Sequence, residues 1–148
     1  MSLSVRFVLA GLSLACAMQA SALEYRSPQR PTILFDAPAS TARQLAIAGR
    51  GLPLEVIVEQ AAWVKVRDPS GRLAWAEKSA LAASQQVMVK PDESAIRVQP
   101  RVDSDIVLRA ARGVLLDVTG DADAYGWLPV KHISGVSGWL PAHEVWGR

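Results

Sequence analysis

The sequence predicts an all-β protein made of two tandem small β-barrels, and three observations predict it. First, one skeleton of residues occurs twice. Pro38, Gly51, Trp63, Trp75 and Leu81 are spaced 13, 12, 12 and 6 apart; Pro100, Gly113, Trp127, Trp139 and Val145 are spaced 13, 14, 12 and 6 apart. A two-residue loop insertion before Trp127 accounts for the one interval that differs. Second, apolar residues within each copy recur with a period of two, the signature of half-buried strands. Third, Asp68-Pro69-Ser70-Gly71 and Ser134-Gly135 supply turn chemistry at corresponding places. A repeat of this length settles the architecture, because each copy must bury its own apolar face.

Residues 1–22 read as a secretory signal. Arg6 precedes the apolar run Phe7–Ala15, and Ala20-Ser21-Ala22 gives the small-x-small pattern a signal peptidase accepts. The run is about half the roughly 20 apolar residues needed to span a bilayer, so no permanent membrane span is expected. A lipid attachment site would need a Leu three residues before Cys16. Leu14 falls one place too late, so lipidation is not expected. Cys16 is the single cysteine, and its removal with the signal would exclude disulfides, thiol catalysis and thiolate metal sites.

After this come an extended leading segment over 23–31, a first barrel over 32–82 and a second over 83–148. In the first copy Leu52, Leu54, Val56 and Val58 alternate as one strand. Val64 and Val66 then alternate with Trp63 and Lys65, and the chain returns through Leu73–Ala76 as a hairpin. In the second copy Val114, Leu116 and Val118 form the first of these strands, and Trp127–Ile133 turns at Ser134-Gly135 into Val136–Leu140. Pro129 cannot donate to a ladder, so it belongs where its strand faces solvent or bulges. No segment sustains a 3.6-residue apolar stripe, and helix is expected only as a single turn after Trp75 and another after Trp139. Ala82–Gln86 reads as a short joint.

The closing residues Gly138-Trp139-Leu140-Pro141-Ala142-His143-Glu144-Val145 resemble the last strand and helical turn of an SH3 domain, and Ile96-Arg97-Val98-Gln99-Pro100 resembles the opening of a bacterial one. Gly113 and Trp127 complete the likeness. The first copy departs from it, with Ala74 in place of Gly138, Ala76 where a larger apolar residue is usual, and Glu77 in place of Pro141. The resemblance covers about 30–147. It implies two tandem SH3-like barrels in an exported bacterial protein, of the kind that targets peptidoglycan peptides or other envelope components. Such domains commonly accompany a separate hydrolase, for which this chain has no room.

Strand parity nominates the candidate site. If Val64, Val66, Leu128, Val130 and Leu140 face the cores, then Trp63, Trp75, Trp127 and Trp139 point outward or edge the barrels. Such rings could form shallow aromatic grooves for an extended peptide or a sugar, or be packed by their own loops. Trp146 is expected to cap a core or the contact between barrels. Catalysis is not expected. His132 and His143 have no nucleophile beside them, no Gly-x-Ser-x-Gly elbow occurs, and Asp117, Asp121 and Asp123 lack the remaining ligands of a calcium loop. No cofactor and no metal is expected.

Residues 27–86 carry 7 basic and 5 acidic side chains and residues 87–148 carry 7 and 8, which argues against a nucleic-acid partner. The expectation is a non-enzymatic binding module in the periplasm or cell envelope whose partner is a peptide, peptidoglycan or an envelope protein. The alternative is a scaffolding protein assembling through its sheet edges.

Overall fold

The computed structural model describes residues 23–148; the expected export signal, with Arg6 and Cys16, lies outside the described residues. The first sheet contains β1 (Tyr25–Pro28), β2 (Thr32–Phe35), β3 (Gln44–Ala48), β4 (Leu54–Gln60), β5 (Trp63–Arg67), β6 (Leu73–Glu77) and β7 (Leu81–Ala83). The second contains β8 (Gln86–Val89), β9 (Glu93–Arg97), β10 (Ile106–Ala111), β11 (Leu115–Val118), β12 (Trp127–Lys131), β13 (Ser137–Pro141) and β14 (Val145–Trp146). Strand order is β3-β2-β6-β5-β4-β1-β7 in one and β10-β9-β13-β12-β11-β8-β14 in the other, so each strand meets its counterpart at the same place. The strand pairs are antiparallel throughout. Single 3₁₀ turns at Lys78–Ala80 and Ala142–Glu144 are the helical elements of the described residues, as expected after Trp75 and Trp139.

Duplication extends to individual hydrogen bonds. Gly51 N donates to Pro28 O and Gly113 N to Val89 O, both at 2.9 Å; Lys78 N donates to Ala62 O and Ala142 N to Gly126 O, both at 2.8 Å. The recurring glycine has a physical cause. Gly51 and Gly113 sit at φ +79° and +84°, a region that costs an L side chain but not glycine. Each barrel has its own core: Leu34, Ala48, Leu54, Val64, Val66, Ala74 and Ala76 in the first, and Val87, Val89, Ile96, Leu116, Leu128, Val130 and Leu140 with neighbours in the second. The parity read for Val64, Val66, Leu128, Val130 and Leu140 holds. In β4 it fails past a bulge between Val56 and Val58, beyond which Ile57 and Val58 are both exposed.

The insertion lies where the spacing put it. Gln60 pairs with Trp63 across a two-residue turn in which Ala61 takes φ +51°, whereas β11 stops at Val118 and a longer loop, 119–126, leads to Trp127. Pro129 lies in an inner strand rather than at a solvent-facing edge or a bulge: the β11 ladder ends at the pair Val118–Val130, and beyond it Thr119 N bonds Pro129 O at 3.1 Å, which needs no donor from the proline.

Two boundaries need correction. The leading segment 23–31 is extended, but its Tyr25–Pro28 is β1, held between β4 and β7 as an integral strand of the first sheet. The barrels therefore run from Tyr25 to Ala83 and from Gln86 onward, and the joint shrinks to Ser84-Gln85. That joint is tied down: Ser84 N donates to Tyr25 O at 3.1 Å, and buried Ser27 Oγ bonds Ser84 Oγ at 2.8 Å and Gly51 O at 3.1 Å. Trp146 does lie at the contact between barrels. Its ring meets Tyr25 edge-on, with centroids 5.4 Å apart, and its indole N–H bonds Pro53 O. Among the described residues no helix is long and apolar enough to cross a membrane.

Candidate functional site: the outer aromatic faces

On the outer face of β2-β6-β5, successive strands place Phe35 opposite Trp75 and Trp75 opposite Lys65, with Trp63 two residues before Lys65 on the same side. Phe35 and Trp63 meet edge-to-face, with centroids 5.6 Å apart and planes at 89°. The Lys65 ammonium lies 5.9 Å from the Trp75 ring centroid, within cation–π range. Phe35 is buried beneath this group, while Trp63 and Trp75 remain half-buried. Three aromatic rings thus share one face of the first barrel, and Phe35 is the member that strand parity alone did not nominate.

In the second barrel the same register puts Arg97 opposite Trp139 and Trp139 opposite Pro129. Arg97 replaces Phe35 and turns aside, its guanidinium bonding Ser104 O at 2.7 Å. Trp139 stays half-buried and lines a shallow pocket of about 240 Å³ with Val98, Thr119, Pro129, Ser137 and Gly138. Gly138 is required there by close approach, since a Cβ at that position would stand 2.5 Å from Arg97 O.

Trp127 corrects the parity reading. It lies outside the core cluster, as expected, yet it is only 9 % exposed. The inserted loop is tied to its backbone: Trp127 N donates to Asp123 Oδ1 and Asp123 N to Trp127 O, each at 2.9 Å. Parity gives the direction of a side chain but not what covers it. Trp127 belongs with the packed rings, leaving Trp63, Trp75 and Trp139 accessible.

The polar candidates have structural work. Asp123 Oδ1 also accepts from Tyr125 N, Asp121 pairs with Arg148 at 3.1 Å, and Asp117 accepts from Gln86 Nε2 at 2.8 Å, so the three acidic groups do not converge. His132 occupies the place of Asp68 in its hairpin. Asp68 Oδ1 accepts from Ser70 N and Oγ, and His132 Nδ1 from Ser134 N, with Ser134 Oγ 2.8 Å away. His143 is exposed in the second 3₁₀ turn.

Two small barrels of identical topology, each showing tryptophan on the same outer strands, define a tandem SH3-like protein. The family model described as bacterial SH3 domain matches residues 29–82 and again 90–147. The chain belongs to that family. Its domains are in general non-catalytic modules that bind cell-wall or protein partners, typically outside the cell or at the envelope. Comparison with curated proteins gave no match. Among solved structures the chain is similar to NlpC1 from Trichomonas vaginalis (11 % identity, TM-score 0.39, 95 % of this chain and 51 % of that one) and NlpC2 from the same organism (11 %, 0.37, 86 % and 49 %). It is also similar to an NlpC/P60 family protein from Bacillus cereus (16 %, 0.36, 82 % and 55 %). The chain spans about half the length of these proteins.

Proposed function

We propose that this protein is an exported, non-enzymatic binding module of the cell envelope, recognising a cell-wall peptide or an envelope protein through the shallow aromatic faces of its barrels. One observation carries the reading: Trp75 and Trp139 hold the same register position and are partly exposed in both copies. A ring half-open to water has apolar area left to bury against a partner, which is how aromatic anchors contribute to binding. The first face offers edge-to-face rings and an ammonium. The second offers a single ring over a small pocket flanked by proline and glycine. The two faces therefore differ in chemistry and would grip different parts of an extended ligand, or different ligands.

Envelope crosslinking with the intact protein and with the Trp75→Ala, Trp139→Ala double variant tests the reading. Loss of captured cell-wall peptide or envelope protein in the variant supports it; equal capture by both proteins refutes it.

A further inference from the structure

Because the barrels are copies, a charged position in one can be set beside the matching position in the other, and two such positions have lost the partner that their copy keeps. In the second barrel Arg112, the residue before Gly113, bonds Asp92 through Nε at 3.1 Å and Nη2 at 2.8 Å. Arg50, before Gly51, is the matching arginine of the first barrel. The position of Asp92, two residues ahead of Ser94, corresponds to Arg30, two ahead of Thr32, by the pairing of those strands. A cation thus replaces the acid, and among the described residues Arg50 makes no ion pair. The second difference has the opposite sign. Glu55 of the first barrel is buried and pairs with Arg67 opposite it at 3.0 Å. Its counterpart Asp117 stands opposite Lys131 but, one methylene shorter, forms no ion pair with it.

Both unmatched charges line one place. A cleft of about 280 Å³ at the seam between barrels is walled by Ser27, Gln29, Arg50, Gln85, Gln86 and Asp117; Arg50, Gln86 and Asp117 also wall the adjoining depression, beside Leu115 and Ile133. Arg50 and Asp117 do not neutralise each other, for no ion pair joins them. A simple anion would meet Asp117 here, and a simple cation would meet Arg50. A ligand carrying both charges meets a partner for each.

We propose that the seam cleft is a binding site for a short zwitterionic ligand, an amino acid or small peptide with a free carboxylate and a free ammonium. The Arg50 guanidinium takes the carboxylate through its two-pronged donor face, Asp117 takes the ammonium, and the glutamine amides serve the peptide groups between. Arg50 comes from the first barrel and Asp117 from the second, so neither barrel alone makes the site. It is separate from the aromatic faces and does not rest on them.

Titration of alanyl-alanine with free termini into the isotope-labelled protein, followed by amide chemical shifts, tests this. Saturable shifts are expected at Gly51, Gln86 and Asp117, with a dissociation constant on the order of 0.1–1 mM for so few exposed contacts. Arg50→Ala and Asp117→Asn should each weaken binding about tenfold or more, and the N-acetylated, C-amidated dipeptide should produce no such shifts. Arg30→Asp removes no proposed ligand contact but supplies the acid that Arg112 has, and it too should suppress binding. Absence of saturable shifts, equal binding of the blocked dipeptide, or affinity unchanged by these variants overturns the proposal. Shifts confined to Trp75 and Trp139 would overturn it while leaving the aromatic faces as the binding surface.

Discussion

The indole N–H of Trp146, in the last strand of the second barrel, donates to the carbonyl oxygen of Pro53 in the first at 2.9 Å. This bond spans 93 residues of sequence and joins two cores that share no residue. Gly147 follows close behind, where a Cβ would stand 2.8 Å from the Pro53 ring. Trp146→Phe keeps an aromatic ring against Tyr25 but loses the donor. It should cost about 0.5–1.5 kcal/mol, and calorimetry should resolve one unfolding transition into two as the barrels uncouple.

Trp127 and Trp139 are separated by the same test. Trp127→Ala empties a covered site and should cost about 3–5 kcal/mol. Trp139→Ala removes a partly exposed ring and should cost about 1 kcal/mol or less, while losing capture of the envelope partner. Urea denaturation of both variants checks the ordering; equal costs would place the two rings in equivalent environments.

Gly138→Ala forces a methyl against Arg97 O and Ile96 Cγ2, contacts of 2.5 and 2.7 Å without relaxation. Overpacking against backbone should destabilise by about 1–3 kcal/mol. Ala74 occupies the matching place in the first barrel and is buried there, so that copy accommodates the methyl. Ala74→Gly should therefore cost less than Gly138→Ala in the same denaturation series.

The hairpin turns predict a graft between copies. Asp68 Oδ1 accepts three hydrogen bonds, from Ser70 N, Ser70 Oγ and Arg72 N at 2.9, 2.6 and 3.0 Å. Asp68→Ala leaves donors unpartnered and should cost about 1–3 kcal/mol. His132→Asp installs the better acceptor in the second barrel and should raise its melting temperature.

Acid should loosen the first barrel through Glu59. The hydrogen bond from Lys78 holds its carboxyl below the usual carboxylate range, against a desolvation cost, with Arg26 adding in the same direction. A depressed folded value means that the contribution is present at neutral pH and is lost as pH falls through that value. Glu59→Gln should lower the urea midpoint at pH 7 and match the parent protein in strong acid. A difference that persists at low pH would assign the effect to packing.

The barrels, the hairpins and both 3₁₀ turns were legible because their signals are local: Val64 and Val66 alternate beside tryptophan, and Gly-Trp spacing repeats. β1 was not legible as a strand of the sheet. Its buried residues are the adjacent Ser27 and Pro28, so no apolar alternation marks it, and Ser27 is satisfied by Gly51 and Ser84 far along the chain. The family match starts at 29 and again at 90, just past β1 and β8, and misses the same strands. Of the two readings open for the outward rings, groove or packing, Trp127 takes packing, and no local pattern marks which ring does so. The unmatched Arg50 and Asp117 were invisible, since pairing depends on residues that only folding brings together.

The pairing of each barrel's opening strand with its closing one also sets kinetics. Arg26 lies against Ala83, and Val89 against Val145, so neither barrel can close before nearly all of its chain has been synthesised. Such distant contacts place folding in the slow range, milliseconds to seconds. During that interval β1 and β8 each lack one neighbour, and a chaperone has time to hold the chain open.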